Sequence, residues 1–382
     1  MAEPTIQLGG GNWAGKTDNL LGYYKEGERF YKQDFTFSRS TTGTRVNSSG
    51  LIEVAQVVST TELVTNGDFA TDSDWTIEST WTISGGAANG NGASGSTQEL
   101  KQTSVNTIGK TYKATFEVLN YVSGTVGFWQ GSGIYVIPRS ANGIYTEYFT
   151  ATSTEIRFRG TNFNGSIDNV SVKEVIENDV PRLDYSDGSC ASLLLEGQRT
   201  NVTPYSSDFS QSVWVKANAT ISSNNAISPE GNQNADKFVE NTSTSTHVIR
   251  NSPNLPATNG IEYVVSVFAK SEERTSIRLA NAAQSGCDAL FNLTNGTVTS
   301  TGFGVTSSKI EDFGNGWYRC SILFTTNTTI IQVNLGLLDS SNNQSYQGDG
   351  SSGLYIYGAQ VEAGSFSTSL INTSGATATR TA

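Results

Sequence analysis

The stretch Gly109-Lys110-Thr111-Tyr112-Lys113-Ala114-Thr115-Phe116-Glu117-Val118 reads as a tight turn entering a strand. Tyr112, Ala114, Phe116 and Val118 fall on one side, with Lys113, Thr115 and Glu117 on the other. A period of two buries one face of a β-strand and leaves the other wet. The same phrase recurs as Asn259-Gly260-Ile261-Glu262-Tyr263-Val264-Val265-Ser266-Val267-Phe268. It is the middle of three ordered matches. Asn66-Gly67-Asp68-Phe69 followed by Trp75 returns as Ser207-Asp208-Phe209 followed by Trp214, and Ser166 to Val172 returns as Leu354 to Val361. Preserved order is what duplication of one domain predicts.

The second copy is longer. Its excess falls where Phe291 to Thr301 and Ile310 to Leu323 read as hairpins around Asn295-Gly296 and Asn315-Gly316, dipeptides that favour tight turns. Alternation continues at Ile156 and Phe158 against Glu155, Arg157 and Arg159, and at Ile331, Val333 and Leu335 against Gln332 and Asn334. No stretch keeps a helical period over several turns. Charged residues are only 15% of the chain, so polarity comes from Ser, Thr, Asn and Gly, which suits turns and strands better than exposed helix faces. These patterns predict an all-β chain: two tandem antiparallel β-sandwich domains of jelly-roll type preceded by an extended N-terminal arm. The expected divisions are an attachment arm over 1–58, a first sandwich over 59–176, a linker over 177–200 and a second, longer sandwich over 201–382.

The net charge is -11, yet residues 1–50 hold six Lys or Arg against five Asp or Glu, so the acidity lies downstream. An acidic body without a basic stripe argues against nucleic acid. Cys190, Cys287 and Cys320 are too widely spaced for a zinc cluster or a disulfide framework and read as buried thiols. The first residues lack a basic region followed by an apolar one, and no run approaches the roughly 20 apolar residues of a membrane helix, so neither a secretion signal nor membrane insertion is expected.

Gly10-Gly11-Asn12-Trp13-Ala14-Gly15-Lys16-Thr17 matches the phosphate-loop pattern, but the residues after Thr17 are broken by glycines where a helix should open. A docking arm is the better reading. The only histidine is His247 and no G-x-S-x-G elbow exists, which leaves no Ser/His/Asp triad. Asp68, Asp72, Asp74, Asp184 and Asp187 sit mostly in turn phrases, where a carboxylate caps backbone groups. No catalytic residue is assigned.

Phe35-Thr36-Phe37-Ser38-Arg39-Ser40 continuing to Gly50-Leu51-Ile52-Glu53, Val180-Pro181-Arg182-Leu183-Asp184-Tyr185 leading to Leu195-Glu196-Gly197-Gln198-Arg199-Thr200-Asn201, and the closing Gly358-Ala359-Gln360-Val361-Glu362-Ala363 with its tail to Thr379-Arg380 resemble bacteriophage virion proteins. The modules between them resemble carbohydrate-binding jelly rolls attached to glycanases. The resemblance implies a virion surface protein made in the host cytoplasm, either a fibre or adhesin component or a head-decoration protein. Its implied partners are other virion proteins through the N-terminal arm, sister copies in a homotrimer, and host-surface glycans. A purely architectural protein and a glycan-degrading enzyme are the alternatives. No cofactor is indicated, although jelly rolls of this kind often hold one structural calcium ion.

For sugar binding, aromatic faces and fixed polar groups are the relevant chemistry. Trp75 and Trp214 recur at equivalent positions and are predicted as core. Trp129 has no counterpart and is predicted at the surface. Arg157 and Arg159, with Gln332 and Asn334, lie on the outward side of equivalent strands. A solvated strand face is their ordinary role, and a ligand-binding face is the functional one.

Overall fold

The computed structural model describes residues 5–6, 14–16, 19–26, 29–36, 39–78, 80–93, 98–130, 134–135, 138–177, 180–186 and 192–381. Among them every regular element is a strand, and none is a helix long and apolar enough to cross a membrane. Two compact units form. One holds residues 56–177, and the other combines 1–55 with 178–382.

In the smaller unit the strands that build the two layers are β1 (Ala88–Asn91), β2 (Gln98–Gln102), β3 (Thr111–Gln130), β4 (Ile134–Tyr135), β5 (Gly143–Thr150) and β6 (Ile156–Ile176), with the short strands Val57–Val58, Thr76–Ile77 and Trp81–Ile83 pairing at their edges. β3 and β6 are antiparallel along most of their length and fold over together. Their first and second halves thereby serve two layers. One layer runs β1, late β6, early β3, β5, and the other runs β2, early β6, late β3, β4. The register slips between Leu119 and Ser123, where Asn120, Gly124 and Asn162 take positive φ. Bending there brings Phe116 of one half edge-on to Phe158 of the other, with ring centroids 5.0 Å apart. Tyr112, Phe128, Ile156, Ile167 and Val172 complete a closed core between the layers.

The larger unit repeats this plan with the bends opened into loops. Its strands are β7 (Gln233–Glu240), β8 (Val248–Asn251), β9 (Glu262–Lys270), β10 (Ser276–Asn281), β11 (Asp288–Asn292), β12 (Trp317–Thr325), β13 (Val333–Leu337) and β14 (Gly353–Ala363). One sheet orders them β7, β14, β9, β12 and the other β8, β13, β10, β11. This alternation of consecutive strands between two layers is the jelly-roll winding. Edge strands Ala219–Ile227 and Ser307–Asp312 widen the first sheet to six, and Trp214–Ala217 with Thr297–Thr301 widen the second. Both hairpins expected in the longer copy are present, with Gly296, Asn315 and Gly316 at positive φ in their turns.

The duplication extends to single hydrogen bonds. Trp75 Nε1 donates to Asn66 O and Trp214 Nε1 to Tyr205 O, both at 3.0 Å. Each indole is buried against a phenylalanine, Phe69 at 5.2 Å and Phe209 at 4.8 Å between centroids. Thr107 N donates to Tyr112 Oη at 2.8 Å, as Thr258 N does to Tyr263 Oη at 3.1 Å. Val170 N reaches Gly67 O and Ala359 N reaches Ser206 O, each at 2.8 Å.

The described residues 180–186 and 192–201 are part of the larger unit, which corrects the reading of 177–200 as a linker. Val46 N donates to Asp184 Oδ1 at 2.7 Å, Thr44 Oγ1 to Leu370 O at 2.6 Å, and Ile52 N to Pro229 O at 2.9 Å. The stretch 39–55 is likewise built into this unit and is not arm. Arg182 ties it to Glu196: the guanidinium donates to Thr44 O at 3.4 Å and pairs at 2.5 Å with Glu196, which also meets Arg380 at 3.1 Å and accepts from Ser369 N at 2.8 Å. Further out, Thr5–Ile6 pairs with Ser192–Leu194, and Asn19–Glu26 pairs with Arg29–Thr36 as a hairpin.

These contacts set two measurable outcomes. An alanine at Gly124 would place its Cβ 2.0 Å from Asn162 O at a φ of +77°, so Gly124→Ala should destabilise the smaller unit by about 2 kcal/mol or more in urea unfolding. Near-wild-type stability would show that the bend is not the constraint. Burial pushes the Glu196 carboxyl up, but the charges of Arg380 and Arg182 and the bonds from Arg182 and Ser369 outweigh it and hold the group below its ordinary 4.5. A lowered folded-state value stabilises above the unfolded value and loses that contribution as pH falls through the folded one. Glu196→Gln should therefore cost the larger unit about 3 kcal/mol at pH 7 and flatten the decline of its stability below pH about 4.5, since it strands two buried guanidinium groups. Parallel pH profiles for the two proteins would contradict this.

Candidate functional site

Each jelly roll has one sheet whose central three strands carry outward polar residues, and the registers align the two copies. In the smaller unit one row across the sheet is Lys101 (β2), Arg157 (β6) and Trp129 (β3), and the next is Glu99, Arg159 and Gly127. In the larger unit the corresponding rows are Arg250 (β8), Asn334 (β13) and Ala280 (β10), then Val248, Gly336 and Arg278. Leu100, Phe128 and Phe158 point the other way into one core, and Ile249, Leu279 and Leu335 into the other. Strict alternation therefore fixes which side chains face out.

The first face is closed on itself. Glu99 bonds Arg159 Nε at 3.0 Å and Arg157 Nη1 at 3.2 Å, and Arg157 also pairs with Glu155. Burial pushes the Glu99 carboxyl up, but Arg159 and Arg157 outweigh it and hold it below its ordinary value. The Arg159 guanidinium lies 4.0 Å from the centroid of the Trp129 ring, a cation–π contact. Trp129 faces outward, but it is half-buried and its ring carries the arginine, so it is not a bare platform.

The second face holds a groove of about 210 Å³ lined by Thr246, Val248, Arg250, Arg278, Asn334, Gly336, Leu337 and Gln344. Arg278 Nε pairs with Asp288 at 2.8 Å and its Nη1 donates to Asn334 Oδ1 at 3.4 Å. Arg250 is exposed. The structure thus puts Asn334 in the groove and Gln332 outside its lining, where Gln332 Nε2 bonds Asn254 Oδ1 at 2.8 Å. Arg250, Arg278 and Glu99 went unread in the sequence, although Ile249-Arg250, Ile277-Arg278-Leu279 and Glu99-Leu100-Lys101 carry the same alternation that pointed to Arg157 and Arg159.

Other sequence candidates have structural roles. His247 is fully buried, with Nδ1 2.7 Å from Asn218 O and Nε2 3.3 Å from Tyr346 O. Asp184 accepts Val46 N and Ser186 N, Asp68 accepts a long bond from Ala70 N at 3.4 Å, and Asp187 lies outside the described residues. Gly10 to Trp13 and Thr17 also lie outside them, but Ala14–Lys16 pairs antiparallel with Asn19–Leu21, a strand where a phosphate loop requires a helix. Cys287 and Cys320 are buried free thiols, and burial pushes Cys287 up to about 12; Cys190 is outside the described residues. No three His, Cys, Asp or Glu groups converge on a metal position among the described residues. Near Asp208 and Asp236 the ammonium of Lys216 supplies positive charge instead, donating to Ser210 O at 2.9 Å and Gln211 O at 3.0 Å.

No protein-family model and no curated protein matches the chain. Among solved structures it is similar to the N-terminal CBM22-1-CBM22-2 tandem domain of Xyn10C from Paenibacillus barcinonensis, at 12% identity and a TM-score of 0.26, over 80% of this chain and 98% of that one. It is also similar to an anti-sigma factor domain-containing protein, at 10% identity and a TM-score of 0.15, over 67% and 83% of the two chains. At these values neither likeness reaches the chemistry of the sheet faces.

The first face predicts a measurable coupling. Arg159→Ala should uncover the Trp129 ring and leave Glu99 with one arginine, costing the smaller unit about 1 kcal/mol, while the double variant with Glu99→Ala should recover part of that loss. Strict additivity in urea unfolding would show that the pair is not energetically linked.

Proposed function

We propose that the chain is a non-catalytic glycan-binding protein of the bacteriophage surface, a fibre or adhesin component whose jelly rolls are displayed outward. One observation carries the binding part: the groove on β8, β13 and β10, where Arg250, Arg278, Asn334 and Gln344 ring a floor of Val248, Gly336 and Leu337. Fixed hydrogen-bonding groups around a smooth floor are what orientation of a sugar requires. The lining supplies no pair of carboxylates of the kind that glycoside hydrolysis uses, so binding is favoured over turnover. The virion setting, with attachment through the N-terminal residues and assembly as a homotrimer, is supported by the phage-like phrases of the sequence. An architectural role is favoured for the smaller unit alone, because Glu99, Arg157, Arg159 and Trp129 already satisfy one another.

A glycan array probed with the full chain, paired with a reducing-end assay on the glycans retained, tests this reading. Retention without release of reducing ends is expected, and Asn334→Ala should weaken it about tenfold, the loss of one buried hydrogen-bonding amide. Release of reducing ends would establish an enzyme. Retention of no glycan would leave the architectural protein.

A further inference from the structure

We infer that the groove of the larger unit takes an anionic saccharide, with Arg250 as the group that recognises its carboxylate. The inference rests on the glycan-binding reading and narrows it to a substrate class.

The lining offers mostly donors. Arg250 is exposed and, among the described residues, its side chain makes no ion pair or hydrogen bond. Arg278 is neutralised by Asp288 at 2.8 Å, and the carbonyl oxygen of the Asn334 amide already accepts from Arg278 at 3.4 Å. Besides Thr246 and Gln344, the groups left to meet a ligand are the Arg250 guanidinium and the Asn334 amide nitrogen. A donor-rich site with one uncompensated cation suits a ligand that supplies acceptor oxygens and one negative charge, and charge-assisted bonds of this kind are the strong ones. Neutral sugars bind chiefly by laying a ring on an aromatic face, and the lining contains no aromatic residue.

The other copy shows what such a face does with a carboxylate. Val248 corresponds in register to Glu99, Gly336 to Arg159, and Asn334 to Arg157. In the smaller unit Glu99 brings its own carboxylate against two guanidinium groups and fills the position from within. In the larger unit the position of that internal acid is the apolar Val248, and the arginine row is shortened to a glycine. The second face therefore pairs one cation, Arg278, with Asp288 and leaves the other, Arg250, without a built-in anion.

The size and surroundings narrow the ligand further. About 210 Å³ is below the roughly 300 Å³ at which pockets begin to engulf a small molecule, and it suits one charged residue of a longer chain. A nucleic acid needs a run of cations, and one uncompensated arginine on a chain of net charge -11 does not supply it. Thr246 and Gln344 flank the cations and offer hydroxyl and amide partners for sugar hydroxyls.

The test is titration calorimetry of the full chain with oligosaccharides containing galacturonate, glucuronate, mannuronate or sialate, each beside its carboxyl-reduced counterpart, with inorganic phosphate as a separate probe. At least one acidic oligosaccharide should bind, its reduced form should bind at least tenfold more weakly, and Arg250→Ala should reproduce that loss while thermal unfolding stays unchanged. Lys101→Ala, at the matching position of the smaller unit, should bind like wild type. Equal affinity for the acidic and reduced forms, or retention of binding in Arg250→Ala, would overturn the assignment. So would phosphate competing as well as the acidic oligosaccharide at equal concentration, which would mark a general anion site. A chain that binds only neutral oligosaccharides loses the anionic assignment but keeps the glycan reading, whereas a chain that binds no sugar of either class loses both.

Discussion

Glu196 is one carboxylate, its side chain buried and shared between Arg182 and Arg380, and it joins two stretches of chain that lie far apart in sequence, while Arg182 ties in a third by donating to Thr44 O. Removing such a charge from water is costly, and it persists only where paired guanidinium groups and hydrogen bonds offset the desolvation. Ser369 supplies those bonds through both its N–H and its hydroxyl. The same end of the sandwich holds a second buried acid, Glu362, which accepts from Gln360 and from both donors of Thr368, and Arg319 in turn donates to Thr368 O at 2.6 Å. Asn201 closes the network by bonding Ile371 O and accepting Val361 N. The stretches 39–55, 180–201 and 360–380 are thus one structural element assembled from three pieces.

This explains why those stretches stand out in the sequence. Arg182, Glu196, Asn201, Gln360, Glu362 and Arg380 are polar residues with buried side chains; Arg182, Glu196, Asn201 and Arg380 have partners more than 150 residues away, and Gln360 and Glu362 bond each other and Thr368. Apolar residues in a sheet tolerate exchange of similar shapes, whereas a buried ion network does not, because each loss leaves a charge without compensation. These three stretches are therefore a folding device of the larger unit.

The two jelly rolls share a different device. An indole hydrogen-bonded to a carbonyl nine residues earlier, a tyrosine hydroxyl capping the turn before its strand, and one left-handed residue in the closing strand occur in both. With the core held this way, the outward rows are free to differ. One copy fills its face with an internal acid and arginine network, and the other leaves a groove. Divergence of function on a duplicated scaffold needs only such outward substitutions, because alternation separates them from the core.

Much of this was legible in the chain itself. Alternation at Tyr112 to Val118, the repeated Trp75 and Trp214, and the Asn-Gly hairpins specify strands, two copies and their turns, because those signals are local and depend only on backbone geometry and on which face meets water. The outward side of Arg157, Arg159 and Asn334 followed from the same rule. What the chain alone did not disclose was pairing: that Glu99 would meet both arginines, that Arg159 would cover Trp129, that Gln332 would turn to Asn254, and that 177–200 would join Glu196 to Arg380. Those contacts lie between strands brought together by the jelly-roll winding, and a single sequence carries the preferences of each strand but not the register in which distant strands meet. Only the tertiary structure decides that register, because it is set by the fit of two whole sheets around a common core.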